Sequence, residues 1–135
     1  LTVRFRVLEL GSDVRDGPWI AVRHGGPGSC YSLHLGRVVQ LHKHFRGRGT
    51  NDDTCLARAA WQPDDAWHTV VLRVQGKAIA ATLDGQPLLE ATDRNCLGLP
   101  PVPSGGIALS ARRWSHSDGH TRVAFDDVEV EFLGR

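Results

Sequence analysis

The chain has no methionine, a single tyrosine, three cysteines, and two lysines against fourteen arginines in its 135 residues. Apolar runs are short; none reaches the roughly 18 residues a membrane-spanning helix needs. Cys30, Cys55 and Cys96 form no CxxC and no zinc-finger spacing, which removes structural zinc from consideration. A formal charge of +1 leaves no net field to draw the chain to nucleic acid or an anionic membrane. Catalytic signatures are equally thin. There is no Gly-x-Ser-x-Gly elbow, and the only glutamates are Glu9, Glu90, Glu129 and Glu131. The N-terminus has neither a basic start nor an apolar h-region, so no signal peptide is expected within this segment. It opens directly into a strand pattern, Leu1 to Val7, without an initiating Met. The expectation is therefore a piece of a longer chain, with an upstream strand missing.

What is present is apolar/polar alternation with period two along almost the whole length. Hydrophobic residues make up 41% and charged residues 23%, enough for one domain with its own core. Ten strands are predicted, over 2–9, 18–24, 29–35, 38–45, 54–60, 67–75, 77–83, 87–91, 105–112 and 121–132. Turn chemistry separates them: Gly11-Ser12-Asp13, Gly25-Gly26-Pro27-Gly28, Gly47-Arg48-Gly49, Asp84-Gly85 and Ser117-Asp118-Gly119. Short strands at this spacing make a sandwich or barrel. The clearest unit is the meander from Trp67 to Ala91. Its Asp84-Gly85 turn suits a two-residue hairpin because both residues tolerate positive φ. Trp67, which opens it, is assigned to the core, and Trp61 to a loop anchor. In the last strand Val123 and Phe125 share one parity while Val128, Val130 and Phe132 share the other. A strand that exchanges its buried parity needs a bulge, here at Asp126-Asp127.

Several short stretches, in order, resemble the concanavalin-A-like lectin and glucanase superfamily, above all laminin-G-like modules and bacterial 3-keto-disaccharide hydrolase (family-16-like) domains. They are Trp67-His68-Thr69-Val70, Val74-x-Gly76, Leu83-Asp84-Gly85-Gln86-Pro87-Leu88, Asp93, Gly105-Gly106-Ile107-Ala108-Leu109 and Val123-x-Phe125-Asp126-Asp127-Val128-x-Val130. Upstream, Trp19 to Arg23 and Cys30 to Leu35 fit the two strands before the meander. The resemblance implies an all-β, two-sheet antiparallel jelly-roll sandwich, concanavalin-A-like, with one sheet concave. It implies no activity, because lectins, adhesion modules and glycosidases share this fold. Members are usually exported, so one disulfide is expected, although the sequence does not name the pair. An extracellular or cell-surface place follows from the same resemblance, and the arginine excess suggests a GC-rich bacterial genome.

The residues narrow the chemistry further. A retaining glucanase pair needs carboxyls roughly 5–5.5 Å apart on one strand face. Glu129 and Glu131 share a face, but they alternate with apolar residues on the last strand and read as its solvated side. Family members often hold Ca²⁺ through an aspartate of the final strand, and Asp126 occupies the matching position; hard oxygen ligands suit that ion. The alternative is that Asp126 and Asp127 bond the local backbone at the bulge. His42 and His44 lie on one strand face. If Gly36-Arg37 is a two-residue turn, His42 lies opposite Tyr31 and His34 falls on the other face, which breaks up a three-histidine metal site. Sugar binding needs an aromatic plate with planar polar groups around it. Trp114, in the polar run Arg112 to His120, is the first candidate, with Arg112 beside it. Arg23 shares parity with Trp19 and Ala21 and is expected to project away from the core, with Tyr31 and His42 bordering the same surface. The locally basic stretch 42–49 suits an anionic glycan or a protein partner better than nucleic acid. The expected function is non-catalytic recognition, binding carbohydrate or acting in adhesion. The alternatives are a glycoside-cleaving domain of the 3-keto-disaccharide hydrolase type and a structural subunit of a larger assembly.

Overall fold

A computed structural model describes residues 1–25, 28–45 and 55–133, with Cys55 described by its backbone alone. The predicted turns at 25–28 and 47–49 and the basic run 46–49 fall partly or wholly outside these residues. Among these residues ten strands form: β1 Thr2–Glu9, β2 Gly17–Gly25, β3 Ser29–Leu35, β4 Val38–His44, β5 Cys55–Ala60, β6 Trp67–Gln75, β7 Ala78–Leu83, β8 Gln86–Thr92, β9 Gly106–Arg112 and β10 Arg122–Glu129. The only helical piece among the described residues is a single 3-10 turn, Cys96–Gly98. All pairings are antiparallel. They build two five-stranded sheets, β10-β1-β6-β7-β8 (sheet A) and β5-β4-β3-β2-β9 (sheet B). The chain is an all-β jelly-roll sandwich: the alternation predicted a sandwich or barrel, and the resemblance implied the two-sheet form.

The core lies between the sheets. Sheet A contributes Val3, Phe5, Val7, Val70, Leu72, Ile79, Ala81 and Leu89; sheet B contributes Ile20, Val22, Tyr31, Leu33, Leu35, Val39 and Leu41. Each is an every-second residue of its strand, as the pleat requires. Removing one such aliphatic or aromatic side chain from water is worth about 1.5–3 kcal/mol. The same alternation corrects the assignment of Trp67. Val70 and Leu72 point inward, so odd-numbered residues of β6 point outward, and Trp67 is 39% exposed under the Arg4 guanidinium. His68 takes the inward parity instead, against Phe5 and Trp61. Trp61 anchors its loop as expected: its Nε1 donates to the Leu35 carbonyl at 3.2 Å, and its ring meets Phe5 edge-on.

The Asp84-Gly85 turn predicted in the meander holds. Leu83 pairs with Gln86, and Asp84 and Gly85 both have positive φ, 50° and 79°. The bulge in the last strand is also present. Thr2 faces Glu129 but Arg4 faces Asp126, a one-residue slip, and Asp127 takes φ 49°. The apolar residues after the bulge do not reach the core, however. Val128, Val130 and Phe132 are exposed, and β10 ends at Glu129 rather than 132.

A buried polar network ties the segment after β8 to sheet B. Lys43 sits on the core parity of β4 with no exposure, and its Nζ donates to Asp93 Oδ2 (2.8 Å), Cys96 O (3.0 Å) and Leu99 O (2.8 Å). Tyr31 Oη donates to the same Asp93 oxygen at 2.6 Å and accepts from the Val102 amide, while the Cys96 amide donates to Asp93 Oδ1. All three ammonium protons are therefore used. Burial alone would raise the Asp93 carboxyl, but Lys43, Tyr31 and the Cys96 amide outweigh it and hold the carboxyl below its usual range.

Candidate functional site

The side of sheet B that faces away from the core is polar, yet much of it is buried. β2 sends Trp19 and Ala21 there, β3 sends Cys30, Ser32 and His34, β4 sends Gln40, His42 and His44, and β9 adds Ala108, Ser110 and Arg112. Trp19, Ser32, His34, Gln40 and His42 are all under a tenth exposed. The rings form a row. The Arg112 guanidinium lies over Trp19, 4.6 Å from its centroid; Trp19 meets His34 edge-on at 6.3 Å; His34 and His42 are 4.9 Å apart; and His42 and His44 are 6.3 Å apart. Ser32 Oγ lies 3.2 Å from His34 Nε2, and Gln40 Oε1 lies 3.2 Å from His42 Nε2.

This row exists because the β3–β4 turn has three residues, not two. Val38 donates its amide to the Val14 carbonyl at 3.0 Å rather than pairing with Leu35, and Leu35 pairs with Val39. Gly36 permits the approach, since a Cβ there would run into the Val14 carbonyl oxygen. The pairing thereby shifts by one residue, and a one-residue shift exchanges faces. His42 lies opposite Ser32, and His34 lies opposite Gln40 on the same side. The predicted separation of His34 from His42 is thus corrected.

Electrostatically the face is neutral to basic. Burial first, then the neighbouring His42, Arg112 and His44, push His34 down to about 3. Burial, Arg112 and His24 lower His44 as well. Both imidazoles are neutral near pH 7 and act as hydrogen-bonding groups. No carboxylate stands among the strand residues named above, so the face has no acid–base pair for glycoside cleavage. Among the described residues two polar atoms are buried without a hydrogen-bond partner: Trp19 Nε1 and His34 Nδ1. A buried donor left unbonded costs about 1–3 kcal/mol, and such a pair on one face marks a place where a ligand group or an ordered water completes the bonding.

No protein-family model matches the chain, and no curated protein does. A solved structure does match: the carbohydrate-binding module CBM66 from Bacillus subtilis, at a TM-score of 0.63 and 14% identity, covering 93% of this chain and 71% of that one. At that identity the likeness is one of fold.

The predicted site residues divide. Arg112 and His42 belong to the sheet B face. Tyr31 does not border it; the corrected register turns Tyr31 into the core, fully buried in the Asp93 network. Arg23 shares the parity of Trp19 but leaves it at a bulge, with φ 51°, and its guanidinium donates to Gly76 O (2.9 Å) and Val102 O (2.8 Å) instead. Trp114 stacks under Arg15, 3.9 Å from the guanidinium carbon, and its amide donates to Asp16. Asp16 is fully buried and also receives the Ser117 hydroxyl, so Trp114 closes a structural loop junction. Sequence reasoning passed over Trp19, His34, Gln40 and Ser32 on this face; only the alternation Cys30-x-Ser32-x-His34 and Gln40-x-His42-x-His44 pointed to them.

Asp126 is exposed at the bulge, where its Oδ1 accepts the Asp127 amide at 2.8 Å, and Asp127 pairs with Arg4. Among the described residues no three His, Cys, Asp or Glu gather closely enough to hold a metal ion. Glu129 and Glu131 are exposed, as predicted. The expected disulfide is corrected for Cys30 and Cys96, whose thiols are both free, and burial pushes Cys30 up to about 11, which makes it inert. Two open depressions lie elsewhere. One of about 450 Å³ sits over Ala78 and Ala80 on sheet A between Arg73 and Glu90; another of about 240 Å³ lies between the sheet edges near Val22 and Phe132. No described helix is long and apolar enough to cross a membrane.

Proposed function

We propose that this chain is a non-catalytic carbohydrate-binding domain of the concanavalin-A-like kind, belonging to an exported protein, and that its sugar site is the polar face of sheet B. One observation carries the reading: Trp19 and His34 present unpartnered, buried nitrogen atoms on one face, beside an arginine stacked on the indole. Sugars are recognised by planar side chains whose fixed donors and acceptors meet hydroxyls. The fold likeness to a carbohydrate-binding module supports the same reading. Catalysis is disfavoured because the described strand residues of the face supply imidazoles held neutral and no carboxylate.

A glycan array with wild type, Trp19→Ala and Trp114→Ala tests it. Binding by wild type and Trp114→Ala, with loss in Trp19→Ala read at a temperature where all three proteins are folded, is the expected pattern. Equal signals from all three would move the site off sheet B, and silence from wild type across the array would end the reading.

A further inference from the structure

We infer that the sheet B face selects acidic saccharides, with a sugar carboxylate as the group that completes it; this rests on the carbohydrate-binding reading above. The argument is an inventory of donors. Trp19 Nε1 can only donate. His34 is neutral, and its Nε2 stands 3.2 Å from the Ser32 hydroxyl. When Ser32 donates to Nε2, the tautomer leaves the proton on Nδ1, so the second unpartnered atom is also a donor. Arg112 is the third element. Its side chain is exposed and lies flat over the Trp19 ring, and it makes no hydrogen bond among the described residues. A guanidinium is a planar fork of donors with no acceptor, shaped to grip a carboxylate with two parallel bonds.

In that tautomer three donor groups lie on the face that carries Trp19, and the strands that carry them supply no Asp or Glu to it. A hydroxyl would satisfy at most part of this set, because it brings its own proton, which needs an acceptor. A carboxylate brings only acceptors, about four lone-pair sites on two oxygens. It also meets the positive field of Arg112, the field that contributes to lowering His34 and His44. Arg112 is exposed where it lies over the indole, so an incoming anion reaches it without disturbing the core.

The test pairs each uronate oligosaccharide (oligogalacturonate, oligoalginate, glucuronate-bearing xylan fragments) with its methyl ester, and adds a sulfated oligosaccharide. Isothermal titration reads affinity, and the Trp19 indole N–H resonance reports contact. For at least one pair the free acid should bind about tenfold tighter than its ester. Arg112→Leu should abolish that preference while leaving the melting temperature unchanged, and Trp19→Phe should weaken the acid while keeping the ring. Equal or tighter binding of the esters, or of neutral glycans, overturns the inference and leaves carbohydrate binding standing. Tighter binding of the sulfated probe than of every uronate overturns the carboxylate assignment. Failure of every acidic and neutral probe, with no shift of the indole signal, removes both the inference and the reading beneath it.

Discussion

Replacing Asp93 by asparagine should cost this domain a large part of its stability. Lys43 and Asp93 are essentially unexposed, 2.8 Å apart, and every ammonium proton has a partner. The amide side chain would keep the shape and some hydrogen bonds but not the charge, leaving a buried ammonium with only the Cys96 and Leu99 carbonyls. Breaking a buried pair from one side costs about 3–5 kcal/mol. In a domain of this size that corresponds to a fall of roughly 10–15 °C in melting temperature. Lys43→Met should do comparable damage by orphaning the carboxylate.

The double variant separates a coupled pair from two independent losses. Removing both charges removes the orphan, so Lys43→Met with Asp93→Asn should be less harmful than the sum, by about 1–3 kcal/mol. Urea unfolding of the four proteins measures this. The acid limb adds a second readout. Asp93 has its folded carboxyl held below the unfolded value near 3.8, so its contribution is complete above that pH and disappears as pH falls through the lower, folded value. The Asp93→Asn protein should lack that part of the acid transition. Single substitutions each costing under about 1 kcal/mol, or strict additivity in the double variant, would refute a coupled buried ion pair.

His68 donates from Nδ1 to Asp84 and from Nε2 to Asp64, both at 2.6 Å, and although burial opposes the charge, the two carboxylates raise its pKa. Its stabilisation is therefore complete below the unfolded value of about 6.5 and is lost as pH rises through the folded one; the melting temperature should decline over that range, and His68→Gln should flatten the decline. His34 has the opposite sign: its folded pKa near 3 makes the domain lose stability as pH falls from about 6.5 towards 3, and His34→Gln should remove that slope in urea titrations. Arg23→Met deletes two charge-assisted bonds to Gly76 and Val102 carbonyls and should destabilise by about 1.5–3 kcal/mol in thermal unfolding, with glycan affinity unchanged.

Local chemistry was legible where it is truly local. Asp84-Gly85 announces its turn because two adjacent residues tolerate positive φ, and the change of parity at Asp126-Asp127 announces its bulge because alternation is counted along one strand. The candidate site was illegible for a tertiary reason. The β3–β4 register depends on Val38 bonding to Val14, 24 residues earlier, and one residue of register decides whether His34 joins His42 or Tyr31 does. Arg23 was misplaced by a bulge that nothing in Val22-Arg23-His24 marks. Trp67 was misplaced by giving its position at the head of the meander priority over parity, although Val70 and Leu72 had already fixed which side of β6 faces in.

Strands buried on both faces ordinarily read as continuous apolar runs. β3 and β4 do not; their second face is Cys30, Ser32, His34, Gln40, His42 and His44, largely buried, and with the neighbouring Trp19 it holds two unbonded nitrogen atoms. A layer of aliphatic side chains would avoid the desolvation of these rings and the cost of about 1–3 kcal/mol for each unbonded group. Where a fold breaks its own packing logic, function is the expected reason. His34→Leu puts this to a direct test, because it removes a desolvated imidazole and its orphaned nitrogen together. A structural role predicts lower stability; a binding role predicts unchanged or higher stability with glycan affinity lost. Denaturant midpoints and titration on the same preparation decide between them. A His34→Leu protein destabilised by more than about 1 kcal/mol, yet still binding its glycan, would sink the assignment of this face as the site.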